Sequence, residues 1–134
     1  IPVQVNVLQH PIPTALRCYK LGKALRRAVE SYGDDVNVAI MGTGGMSHQL
    51  HGERFGHLNT EFDNWFLDKI ETDPQALCDM THFELMEQAG AEAVELIMWL
   101  TMRGAMTPGA QRIHRNYYAP MTTGMGLITM QDAA

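Results

Sequence analysis

The sequence is poor in cysteine, has no long apolar run and has no basic tract. Its two cysteines, Cys18 and Cys78, lie far apart and in no metal-ligand spacing. That excludes a disulfide framework and a thiolate metal cluster. Both read as free thiols of a reducing compartment, which points to the cytoplasm. No apolar stretch reaches the ~18 residues that span a bilayer. The greasiest segment, Ala89 to Leu100, is broken by Glu92 and Glu95. No signal-peptide pattern opens the chain. The formal charge is -5 and the one adjacent basic pair is Arg26-Arg27, so nucleic-acid binding by phosphate neutralisation is not expected. An anionic substrate would need local positive charge, because the overall field does not attract it.

What is present suffices for one domain with a core. With 46% apolar and 19% charged residues in 134, the chain is not a disordered tail. It opens at Ile1 without a start methionine, which suggests a fragment or a processed piece.

Val3, Val5 and Val7 alternate with polar residues, the period of a strand. His10-Pro11-Ile12-Pro13 interrupts regular structure. Thr14 can cap a helix along which Leu16, Tyr19, Leu21, Leu25, Ala28 and Val29 recur. Val36 to Met41 reads as a mostly buried strand, so strand, helix and strand in about forty residues predict a parallel pair. A helix fits Thr60 to Ile70, with Phe62, Trp65, Phe66 and Ile70 on one side. Asp73-Pro74 looks like a cap with a first-turn proline, and Thr81 to Glu84 has capping-box spacing. Gly90 to Met106 reads as one helix, and Ile113 to Tyr118 and Gly126 to Met130 as late strands. The fold class is α/β, a mixed sheet flanked by helices on both faces.

Two residues stand out chemically. Glu95 lies among Val94, Leu96, Ile97 and Met98. A carboxylate there loses hydration and needs a cation, a metal or a proton. A distant arginine, or a helix turned to expose Glu95, would serve as well. His48 follows Gly42-Thr43-Gly44-Gly45-Met46-Ser47 at the end of the expected strand, where α/β sheets bind ligands. Its unperturbed pKa lies near neutrality, which suits a general base, although a solvated turn histidine fits the same spacing. The glycine turn lacks the lysine and Ser/Thr of a phosphate-binding loop. His51, His57 and His82 lie in polar context. Neither His10 nor His114 belongs to a histidine-carboxylate cluster. Met98, Met102 and Met106 read as core packing.

Three segments together resemble the class III extradiol ring-cleavage dioxygenases of the protocatechuate/gallate 4,5-dioxygenase type. They are Gly42 to Leu50 continuing through His51-Gly52-Glu53-Arg54, Val94 to Leu100 with Arg103-Gly104-Ala105, and Asn116-Tyr117-Tyr118-Ala119-Pro120-Met121-Thr122. The opening Leu8-Gln9-His10-Pro11-Ile12-Pro13 resembles the gallate branch. The similarity covers nearly the whole chain in the family's order and matches the C-terminal half of that fold, so residues 1-134 would form the C-terminal part of the catalytic domain.

The resemblance implies extradiol cleavage, by dioxygen at a non-haem Fe(II), of a catecholic aromatic acid of the protocatechuate or gallate class. Glu95 would be the carboxylate of a two-histidine, one-carboxylate iron site with open positions for substrate and dioxygen. His48 would be the acid-base residue beside the catechol. Thr122, with Thr123, would contact the ring substituent, usually a carboxylate. The two histidine ligands would come from the N-terminal half of the fold, which is absent here, and the isolated chain is expected to be inactive. A homodimer, or a heteromer with a small helical subunit or domain, is also implied; nucleic acid and membrane are not. Two other classes remain open. One is a non-catalytic or interaction domain of the same fold that has lost the metal site; the presence of both Glu95 and His48 argues against it. The other is a hydrolase using Ser47 and His48, although adjacent residues on a turn rarely face each other.

Overall fold

The computed structural model describes residues 1–7 and 9–132. Helix α1 spans Ala15–Glu30, with the Thr14 side chain accepting from the Arg17 N–H. Helix α2 is Thr60–Thr72, capped by Asn59. The short α3, Pro74–Cys78, starts on an Asp73 cap with proline in its first turn. Helix α4, His82–Ala89, carries the full capping box of Thr81 and Glu84. A 3-10 helix, Ala91–Leu96, leads into α5, Ile97–Gly104. Strands β1, Gln111–Tyr118, and β2, Met125–Gln131, pair antiparallel with Tyr118 opposite Met125. The α/β class therefore holds, and its sheet among the described residues is this two-stranded pair.

The end of the 3-10 helix and helix α5 form the floor of the core, with Leu96, Ile97, Trp99 and Leu100 buried beside Phe66, Leu67 and Ile70 of α2. Helix α1 crosses α5 at two glycines. A Cβ on Gly22 would lie 2.1 Å from the Thr101 carbonyl oxygen, and one on Gly104 would lie 2.1 Å from the Tyr19 oxygen. The backbones touch there, so the buried residues of α1 are the small Ala15, Cys18 and Gly22. Leu21 and Val29, expected on the apolar side, stay exposed. Buried Arg103 donates to the carbonyls of Ile70, Thr107 and Pro108 and so ties α5 to α2 and to the turn before β1.

Two expectations are corrected. The parallel pair of Val3–Val7 with Val36–Met41 does not form among the described residues, and the second stretch is not buried. Val3, Val36 and Val38 are about half exposed and Met41 nearly fully so. Alternation selects an apolar face, but a strand also needs a neighbour to satisfy its N–H and C=O groups. Both stretches instead line an apolar groove of about 420 Å³ with Leu25, Met98 and Met102. The single helix expected over Gly90 to Met106 is divided. Gly90 has φ 97° and its N–H closes α4 on Met86, so the chain restarts in a 3-10 turn before α5.

Candidate active site

The glycine turn lies across the start of α5. The Trp99 indole N–H donates to the Gly44 carbonyl at 3.1 Å, and the Gly45 N–H donates to Glu95 Oε2 at 3.0 Å. An added Cβ on Gly44 would come within 2.8 Å of the Glu95 Cβ, so a larger residue could not share this contact. Glu95 is half-buried, and among the described residues no lysine, arginine or histidine forms an ion pair with it. The distant-arginine explanation of its apolar setting is thereby removed.

His48 lies three residues beyond Gly45 and is buried. Its backbone N–H donates to the Ala89 carbonyl at 2.8 Å, and its Nδ1 lies 2.7 Å from the Met46 carbonyl. A carbonyl can only accept, so Nδ1 carries the proton and the Nε2 lone pair is left available. His48 also bridges to Thr123 in a single antiparallel pair. A Cβ on Gly45 would lie 3.0 Å from His48 Cε1 and 3.3 Å from Thr123 Cγ2. Gly45 thus touches three of the residues singled out by sequence: Glu95 through its N–H, and His48 and Thr123 through its open α-carbon. Thr122 lies one step further out, its methyl facing Gly56. The hydroxyls of Thr122 and Thr123 donate to nothing among the described residues. The turn brings the set together; His10 and His114 are exposed and stand apart from it.

Sequence reasoning missed the scaffold beneath the turn. Asp63 on α2 is fully buried and accepts from the Ser47 N–H at 2.8 Å, the Ser47 hydroxyl at 2.6 Å and the Tyr117 hydroxyl at 2.7 Å. The Ser47 hydroxyl in turn accepts from the Asn59 N–H at 2.9 Å. The hydrolase reading fails on this geometry. The Ser47 hydroxyl donates to Asp63 and accepts from Asn59, and it makes no hydrogen bond with the His48 ring. The legible clue was an acid inside the apolar stripe of Phe62, Phe66, Leu67 and Ile70.

A carboxylate oxygen without a cation partner, near a buried imidazole and unused hydroxyls, fits one ligand of a divalent metal and the surroundings of a bound polar ring. No group of three or more His, Cys, Asp or Glu that could hold a metal exists among the described residues, so Glu95 would need ligands from elsewhere. No helix among them is long and apolar enough to cross a membrane.

Comparison with known proteins places the chain in a family. Residues 1–128 match the family described as the catalytic LigB subunit of aromatic ring-opening dioxygenase. Gallate dioxygenase of Pseudomonas putida is 52% identical over 132 residues, covering 98% of this chain and 39% of that protein. Two 2,3-dihydroxyphenylpropionate/2,3-dihydroxicinnamic acid 1,2-dioxygenases of Pseudomonas putida are 27% and 28% identical over 167 residues, covering 90% of this chain and 52% of each. The chain thus spans 39% to 52% of the length of these relatives. It belongs to the LigB family of aromatic ring-opening dioxygenases, the class III extradiol group that its glycine turn and apolar-helix glutamate resemble.

Proposed function

We propose that this chain is the C-terminal part of the catalytic domain of an extradiol dioxygenase that opens the ring of gallate or a closely related catecholic acid. The carrying observation is the Glu95 carboxylate, unpaired by any cation among the described residues and bonded to the glycine turn that leads into His48. The similarity to gallate dioxygenase supports the substrate class. Fe(II) is the metal that fits a carboxylate joined by two histidines, which a further part of the dioxygenase would supply. When bound, it brings catechol and dioxygen together and removes the spin barrier to their reaction.

The chain's own residues do the rest. Glu95 would be the residue of this chain that holds the metal, its carboxylate oriented by the Gly45 N–H. His48, protonated on Nδ1 by its bond to Met46, takes the proton of a catechol hydroxyl at Nε2 and returns it later in the cycle. Thr122 and Thr123 donate hydroxyl hydrogen bonds to the ring carboxylate, fixing which bond faces the metal. The apolar groove bounded by residues 1–5 and 38–43 suits a surface on which a further part of the dioxygenase packs. A homodimer, or a heteromer with a small helical subunit, fits the same incomplete site. Burial pushes both thiols up, Cys78 to about 11, so both stay protonated, unreactive packing residues.

The test uses the complete dioxygenase, loaded anaerobically with ferrous iron and then given gallate or protocatechuate and air. Ring opening is followed by its yellow product and iron by metal analysis. Glu95→Ala is expected to lose the iron. His48→Phe is expected to keep it and to slow turnover by ~10²-fold or more. Full iron in Glu95→Ala, or wild-type turnover in His48→Phe, would remove the corresponding role.

A further inference from the structure

Asp63 is a buried acid that the proposed reaction does not use. It lies on α2 at 0% exposure, and among the described residues it has no ion-pair partner. Three neutral donors converge on its two oxygens instead: the Ser47 N–H, the Ser47 hydroxyl and the Tyr117 hydroxyl. An ionised carboxylate accepts all three at once; an amide would offer one accepting oxygen and would force the hydroxyls on its other side to turn round and accept. Burial, against a smaller lowering by the Thr60 hydroxyl and reinforced by Asp63, pushes the Tyr117 phenol up, so it remains a donor.

Those donors come from both walls of the candidate site. Ser47 is the neighbour of His48, and Tyr117 lies on β1. Gly124, the neighbour of Thr123, packs so closely that an added Cβ would lie 2.2 Å from Asp63 Oδ2. Above the carboxylate the walls are laced by backbone bonds. The Met46 N–H donates to the Gly124 carbonyl at 2.9 Å, and the Gly124 N–H donates to the Ser47 carbonyl at 2.8 Å. Removing the acid would leave the turn and the hairpin held to each other by these backbone bonds alone and would loosen the seat of both on α2.

We propose that Asp63 is a positioning residue that fixes the His48 imidazole at a set distance from Thr122 and Thr123, so that proton transfer and ring-substituent binding act on one substrate pose. This rests on the acid-base reading of His48 given above. Asp63 is fully buried with its oxygens taken by protein donors, so it acts through Ser47 on one side and through Tyr117 and Gly124 on the other.

The experiment is a double-mutant cycle in the complete iron-loaded dioxygenase. Asp63→Asn and Tyr117→Phe are each made alone and together with His48→Phe. Bound iron, substrate affinity under anaerobic conditions, kcat and KM are measured for each. A small geometric error at a reacting group costs up to about 10²-fold, so Asp63→Asn is expected to lower kcat by roughly 30-fold and Tyr117→Phe by roughly 5-fold. Both are expected to raise KM and to leave bound iron unchanged. On top of His48→Phe, each is expected to cost less than about two-fold in kcat, because residues acting as one unit are not additive. A full, additive loss in the His48→Phe background would overturn the proposal, as would wild-type kcat and KM in the folded single variants. Should Asp63→Asn fail to fold, the Tyr117→Phe cycle decides alone. Wild-type turnover by His48→Phe alone would identify the acid-base reading as the failure, and the positioning role would fall with it.

Discussion

Gln111–Tyr118 and Met125–Gln131 pair into a hairpin, whereas Val3–Val7 and Val36–Met41, with as strong a strand pattern, stay unpaired. The hairpin succeeds because its two strands are neighbours in sequence and satisfy each other's backbone groups. It is also anchored by Tyr117 to Asp63, by Arg115 to Asp68 and Asn64, and by Thr123 to His48. The unpaired stretches have helix α1 between them and find only side-chain contacts along the groove. Period-two alternation therefore marks the face a strand would bury, but the ladder decides whether it forms. The functional consequence is a split molecule. The site's frame of turn, α2 and hairpin is hydrogen-bonded on every side, and the flank formed by residues 1–7 and 36–41 is open.

The sharpest way to break this contrast is to disturb the frame where it is tightest. Gly90 has φ 97°, and an added Cβ would lie 2.2 Å from the His48 carbonyl oxygen. Gly90→Ala combines backbone strain with a clash against the turn and is expected to cost about 3 kcal/mol, read as a lowered urea midpoint. A loss below about 1 kcal/mol would mean the turn yields easily and is not a frame. Away from the site, Thr81→Ala removes the cap of α4 and is expected to cost about 1 kcal/mol by the same measurement. The smallest effect belongs to the open flank. Val38→Ser alters a half-exposed side chain and is expected to shift stability by no more than about 0.5 kcal/mol. A loss near 2 kcal/mol would show that this stretch is packed in solution after all.

Local signals were read well. The Thr14 cap, the Asp73-Pro74 start of α3, the Thr81–Glu84 box and both late strands lie where spacing places them, because each depends on residues within a few positions. The oddity of Glu95 was legible too, as a charge inside an apolar run. Burial faces were less legible. On α2 the core side carries Asp63 and Leu67, while Trp65, expected inward, is 36% exposed. The pattern was read from the largest rings, but the docking of the glycine turn on α2 selects the acid instead. The Gly22–Gly104 crossing and the grip of Gly90 and Gly124 on the turn are contacts between distant backbones, and glycine spacing alone does not say which backbone approaches. The exposed valines of residues 36–38 fail for a different reason: their pattern is that of a strand, and no neighbouring strand among the described residues satisfies its backbone groups.

The central claim is that the Glu95 carboxylate and the His48 imidazole, joined by one glycine turn, are the chain's contribution to a metal-centred ring-opening site. Anomalous scattering at the iron edge from crystals of the complete, anaerobically loaded dioxygenase addresses it most directly. The account predicts a metal peak bonded to Glu95, with His48 nearby but outside its coordination sphere. A metal held without Glu95, or one coordinated by His48 itself, would contradict it.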